Sequence, residues 1–215
     1  MEKMLLRRES LPRTLGVNTV VEPDWRQALP VLAGRSITLR ELRLTDAPSL
    51  LALLSTEEGA RCLSPAPATI EGFERFIAWT QRERQAGNYM CFGVVPHGMD
   101  TAVGLFQMRQ TEPGFSTGEW GFAIGSAYWG SGIFVEGAQM LLDFAFDVIG
   151  VHRLEARAVV QNGRGNGALR KIGALQEGIL RRSFLRNGEY LDQVLWTIIG
   201  SDRQQSRGYD GPMVH

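Results

Sequence analysis

The residue pattern predicts a mixed α/β fold: a mostly antiparallel central sheet flanked by helices, in the order β-α-α-β-β-β-α-β-α-β-β. Three observations carry this. Segments alternating with period two interleave along the chain with segments whose apolar residues recur every three to four positions. Three strand-like runs in the middle, separated by Pro96-His97-Gly98 and Glu112-Pro113-Gly114, form an antiparallel meander, which a doubly wound sheet does not contain. After Ile124 a strand–glycine loop–helix–strand unit requires a right-handed crossover and therefore one local parallel pairing.

The elements follow in order. Residues 1–34 show weak periodicity, with prolines at Pro12, Pro23 and Pro30, and read as an arm packed on the domain or on a second subunit, as in a homodimer. Residues 36–41 alternate as a short strand. Thr45-Asp46-Ala47-Pro48 reads as a helix start, because proline is tolerated in a first turn, with Leu50, Leu51 and Leu54 as the buried stripe. A second helix starts near Thr69 with Ile70, Phe73, Phe76 and Ile77 on one face, and the meander strands span 89–95, 102–110 and 116–124. Gly125, Gly130 and Gly132 lead into a long amphipathic helix whose apolar face runs from Ile133 through Gly137, Met140, Leu141 and Phe144 to Val148. A strand at 152–160, a short helix at 164–172 and strands at 174–182 and 190–199 close the pattern, the last two joined across the hairpin signal Asn187-Gly188.

With 215 residues, 44% apolar and 21% charged, the chain suits one cored domain, placed at 35–200, with a polar tail at 201–215. Lys+Arg and Asp+Glu each number 23, so no global field draws the protein to nucleic acid or an anionic membrane. No apolar run approaches the roughly 18–20 residues of a membrane span. The charged start, Met1 to Arg8, lacks a secretory pattern, and the cytoplasm is the expected compartment. Cys62 and Cys91 lack metal-ligand spacing and are expected as reduced thiols; His97 and His152 have no second histidine at ligand spacing, so no metal is assigned.

The stretch 119–136 carries the chemistry. Strand, glycine loop and helix start make an anion cradle: first-turn N–H groups have no intrahelical partner, the helix dipole adds positive charge, and glycine lets backbone approach a phosphate. A Walker loop is excluded, since no Gly-Lys-Ser/Thr occurs, and the glycine spacing does not match a Rossmann fingerprint.

Glu119 to Glu136, with its strand and Tyr128-Trp129-Gly130-Ser131-Gly132, resembles the acetyl-CoA motif of the GNAT superfamily, in the branch of the Rim-type ribosomal-protein N-acetyltransferases. Asn162 and Leu169-Arg170-Lys171-Ile172-Gly173-Ala174 resemble its second signature, and Glu177-Gly178-Ile179-Leu180-Arg181 with Gly188, Tyr190 and Asp192 its closing hairpin. The resemblance runs over about 36–199. It implies a GNAT-like sheet and transfer of an acetyl group from acetyl-CoA to an amine acceptor, a protein N-terminus or a small-molecule amine. Phe122, Ala123 and Ile124 would pair with the pantetheine arm. Trp129, Gly130, Ser131, Gly132, Ile133, Phe134 and Val135 would surround the pyrophosphate. Asn162, also placed to cap a helix, would bond the pantetheine, and Asn166 would sit beside the CoA path. Glu119 is the candidate base, with a solvated carboxylate at a strand start as its alternative; a main-chain N–H of 122–124 would hold the oxyanion.

Two positions depart from the pattern. Phe134 stands where the branch carries alanine. Leu169 stands where many members carry the tyrosine that protonates the leaving thiolate; Ser131 and Tyr190 are weaker candidates for that task. Both departures also suit a rival reading, a non-catalytic CoA-binding or protein-interaction module. Arg181 and Arg182 read as a solvated edge pair, and Trp120, Trp129 and Trp196 as core.

Overall fold

The computed structural model describes residues 24–54 and 67–203. They form strands β1 (Leu32–Ala33) and β2 (Ile37–Glu41), helices α1 (Ala47–Leu54) and α2 (Ile70–Gln85), and strands β3 (Tyr89–Pro96), β4 (Gly104–Gln110) and β5 (Thr117–Ile124). Helix α3 (Ile133–Asp143), strand β6 (Arg153–Val159), helix α4 (Gly163–Lys171) and strands β7 (Leu175–Arg186) and β8 (Glu189–Ile199) follow. The strands make one eight-stranded sheet, ordered β1-β2-β3-β4-β5-β6-β8-β7. Every neighbouring pair is antiparallel except β5 with β6. This is the mixed, mostly antiparallel sheet the pattern predicts. The added strand is β1, which pairs Leu32 with Leu39; two residues are too few to show a period.

Local chemistry explains the turns. Thr69 Oγ1 accepts the Gly72 N–H at 3.0 Å and starts α2. The β7–β8 turn places Asn187 at φ 48° and Gly188 at φ 81°, the positive pair that a type I′ turn needs. Before α1 a short 3-10 turn, Leu44–Asp46, sets Asp46 under the sheet. There the fully buried carboxylate takes two hydrogen bonds from Arg40, at 2.8 and 2.9 Å, and main-chain N–H groups of Arg43 and Ala102 at 2.7 and 2.9 Å.

Side chains from the two faces of the sheet build two cores. Phe106, Met108, Trp120 and Leu154 pack under α3 with Leu141 and Leu142. Leu105, Ala123, Tyr89 and Cys91 pack under α1 and α2 with Leu50, Phe73 and Ile77. Burial, with Glu41 nearby, pushes the Cys91 thiol up and keeps it protonated; Cys62 lies outside the described residues. Gly137 lets α3 lie on the sheet, since a Cβ there would fall 2.4 Å from Phe106 Cε2.

The apolar stripe expected to run to Val148 ends sooner. From Phe144 to Ile149 the helix widens to π geometry, which moves the phase by one residue: Phe144 and Ala145 are buried and Val148 is 54% exposed. Among the described residues no helix is long and apolar enough to cross a membrane.

Candidate active site

β5 and β6 pair only at Thr117–Arg153, Gly118–Leu154 and Glu119–Glu155, and then part. β5 continues along β4 to Ile124, whereas β6 follows β8. Strand parity decides which groups face the gap. Thr117 O accepts from Thr111 and Gly125 N donates to Val103, so odd-numbered main-chain groups of β5 turn toward β4. Ser116 O accepts from His152 and Arg153, so even-numbered groups turn toward β6. Beyond the last pair, Phe122 and Ile124 therefore point their N–H groups into the gap. The main chain of Ala123 pairs with Leu105 instead, and Ala123 contributes only wall.

The gap opens into a cleft of about 460 Å³ between the end of β5, the glycine loop and α4. On one side Gly130 and Gly132 take φ of 77° and 89°. The Glu136 N–H makes the helix's opening bond, to Gly132 O, so the N–H groups of Ile133, Phe134 and Val135 have no intrahelical acceptor. Trp129 is half-buried, packed against the core and also walling the cleft: its Nε1 donates to Ile124 O at 2.8 Å, which fixes the indole. The side chains of Ser131 and Ile133 turn away from the cleft, so these two residues can serve it only through main chain. The Ser131 hydroxyl donates to Tyr128 O at 2.6 Å, and the Ile133 side chain is buried. Glu136, in the first turn of α3, is tied outward to Arg35 and Ser36; burial would raise its pKa, but the bonds from Ser36 and Arg35 outweigh that and lower it.

On the other side, α4 presents Arg164, Ala168 and Lys171 at spacings of four and three, one face of a helix. The Arg164 guanidinium lies 3.9 Å from the centroid of the Trp129 ring. Arg164 and Lys171 are the cations of a lining that includes no Asp or Glu. The sequence reading missed both, although their spacing on a glycine-rich helix after Asn162 was a readable signal.

Phe134 turns its ring onto the core side of the wall, 4.4 Å from the Phe122 ring and 6.0 Å from that of Phe106. It occupies the floor of the cleft, and its N–H remains a first-turn donor. Asn162 caps α4, with Oδ1 accepting the Gly165 N–H at 2.9 Å, and lines the cleft as well. Asn166 does not reach the cleft. Its Nδ2 donates to Val159, Val160 and Asn162 carbonyls and its Oδ1 accepts from Trp196 Nε1 at 2.8 Å, so the amide is saturated by the protein and clamps α4 to β6 and β8.

Glu119 sits at the last paired position, on the opposite face from α3. Its Oε2 accepts from Arg109 Nη2 at 2.7 Å, and Arg157 stands at 3.9 Å. It opens a ladder of charges across the sheet: Arg153 bonds Glu155 at 2.9 Å and Glu177 at 2.8 Å, and Thr197 donates to Glu177 at 2.8 Å. The Arg153 and Thr197 bonds hold the Glu177 carboxyl down at about 2. Leu169 is buried beneath α4; Tyr190 is exposed on the β7–β8 hairpin, away from the cleft. Asp192 accepts the Arg182 N–H at 2.7 Å, a hairpin bond that accounts for it.

Comparison with known proteins bears on what this cleft is. The chain is 28% identical over 181 residues to the probable N-acetyltransferase YjcK of Bacillus subtilis, across 81% of this chain and 100% of that one. The fold matches an acetyltransferase (GNAT family) structure from Bacillus anthracis with a TM-score of 0.72 and 19% identity, covering 80% of this chain and 99% of that chain. It also matches Mycobacterium smegmatis RimJ in complex with CoA-disulfide, TM-score 0.68 and 21% identity, covering 83% and 91%. Residues 36–175 match the model of the acetyltransferase (GNAT) domain, and with the split sheet and free helix start already described, the chain belongs to that family.

Proposed function

We propose that the protein is an acetyl-CoA-dependent N-acetyltransferase that moves an acetyl group to a primary amine, a protein N-terminus or a small-molecule amine. The observation that carries this reading is one cleft with three complements to one ligand. The first-turn N–H groups of α3 suit a pyrophosphate, Arg164 and Lys171 suit phosphate charge, and the open edge at Phe122 and Ile124 suits an extended amide chain. Asn162 Nδ2, whose Oδ1 is held by the cap, offers a further donor.

Acetyl-CoA supplies the activated acetyl group as a thioester. The residues of this chain orient it and handle charge. The Phe122 N–H, held in direction by β5–β4 pairing, meets the oxygen that becomes negative when the amine attacks. An alkylamine, with a pKa of about 10, is mostly protonated at neutral pH, so a proton acceptor speeds attack. Glu119 is our candidate for that role, its Oε2 held by Arg109 on the sheet face opposite α3. A thiol with a pKa of roughly 8.5 leaves without a dedicated acid, which accommodates Leu169.

Saturating CoA should raise the thermal midpoint by several degrees, since a ligand at 100 times its Kd stabilises by about 2.7 kcal/mol, and NAD and ATP should raise it less. No shift with millimolar CoA would remove CoA from this cleft. Glu119→Gln should keep the CoA shift and lower thiol release from acetyl-CoA with an amine panel by about 10²–10⁴-fold. An unchanged rate would leave Glu119 as no more than the ion-pair partner of Arg109.

A further inference from the structure

The cleft does not stop at the strand gap. A second cavity of about 90 Å³ adjoins it and shares Phe122, Asn162 and Gly165 with its wall. The inner end of this cavity lies beneath α4 and is closed by Trp120, Ala156, Ala158 and Leu169, all buried. Its outer end passes between β5 and β6 to the opposite face, beside Gly121, Arg157 and Gln193. The two cavities meet at Phe122, Asn162 and Gly165, and the proposed reading puts the thioester carbonyl at the Phe122 N–H. An amine arriving from the charge ladder enters by the outer end. The inner end, walled by apolar side chains, is left for whatever hangs from the carbonyl carbon.

We infer that this inner recess is an acyl pocket that admits groups longer than acetyl, namely propionyl and butyryl, with Leu169 as its end wall. This rests on the CoA reading above. The cavity measures about 90 Å³ with its outer end included; at roughly 30 Å³ per water-sized group it holds about three such groups, so an acetyl methyl with one or two further methylenes fills the inner part. Ala156 and Ala158, two apart on β6, leave that space free; larger side chains at either position would fill it. The transfer is the same for each acyl group. The amine nitrogen bonds to the carbonyl carbon, the carbon–sulfur bond breaks, sulfur leaves with the electron pair, and the proton lost by nitrogen ends on the thiol. The products are an amide and free CoA.

Calorimetric titration of the full chain with CoA and its acetyl, propionyl, butyryl and hexanoyl thioesters tests this. Affinity should rise about fourfold per methylene to butyryl, as burial of a methylene gives, and fall at hexanoyl. Ala158→Leu should abolish the rise, and Leu169→Ala should move the optimum to hexanoyl, with CoA itself bound by each folded variant. Should Ala158→Leu not fold, the enlarged Leu169→Ala recess decides alone. Equal affinity for acetyl, propionyl and butyryl thioesters, with CoA bound normally, overturns the acyl pocket and gives the recess to the amine. Failure of CoA itself to bind overturns the acetyl-CoA reading, and this inference with it.

Discussion

Gly132→Val leaves the protein folded and removes CoA binding. Gly132 is the residue before α3 and holds φ 89°, ψ −16°, the left-handed region. A valine there bears strain of about 1–3 kcal/mol, which a domain stable by about 5–15 kcal/mol survives. A Cβ at Gly132 meets nothing of the protein within 4 Å. The chain therefore leaves that space open, and a branched side chain would stand beside the free donors of Ile133 and Phe134. Losing two charge-assisted hydrogen bonds, each worth about 1.5–3 kcal/mol, weakens binding by about 10²-fold or more. Titration calorimetry with CoA, beside the variant's circular dichroism, checks this. A folded variant that binds CoA as the parent does would move the pyrophosphate elsewhere. Gly137, one turn further on, serves a different need: its missing Cβ makes room for Phe106, not for a ligand.

The second large effect is on stability. Asp46→Ala should cost about 3–5 kcal/mol, because it strands the charge of a buried partner. Arg40 would keep only the carbonyls of Glu41 and Asp100, and the N–H groups of Arg43 and Ala102 would lose their acceptor. The same carboxylate gives a pH signature. Burial alone would raise its pKa, but the hydrogen bonds from Arg40, Arg43 and Ala102 outweigh burial and set it below the ordinary 3.8. A carboxylate with a depressed folded pKa stabilises fully above its unfolded value and loses that contribution as pH falls through the folded one. Urea midpoints measured from pH 6 downward should thus fall below about pH 4 in the parent and fall less in Asp46→Asn. Parallel acid limbs for the two proteins would show that Asp46 does not carry the loss.

What the sequence disclosed follows from the range of each signal. Asn187-Gly188 names its own turn, Thr69 and Asn162 name their caps, and the glycines before Ile133 name the anion cradle, because each effect acts within a few residues. The meander and crossover then fix strand order. Other features need partners distant in the chain. The direction of the Asn166 amide depends on Trp196, thirty residues away. The role of Trp129 depends on Arg164 across the cleft. The phase slip after Asp143 depends on an i to i+5 bond pattern that period counting reads as continued helix. Ala123 shows the finest limit: the motif presents 122–124 as one ligand edge, and alternation of the strand divides them.

That alternation has a bearing on how the protein can vary. Between Gly118 and Ile124 the strand carries two ordered sets, with Glu119, Gly121 and Ala123 on one face and the gap-facing N–H groups of Phe122 and Ile124 between. Deleting a single residue here would exchange both sets at once, bringing main-chain groups now paired with β4 to the gap and turning the carboxylate face under α3. No side-chain replacement repairs such an exchange, since backbone direction belongs to position and not to residue type. The exposed turn at 111–114, by contrast, only returns the chain toward β5. Length changes should be confined to that turn, and this short span of β5 should admit no insertion.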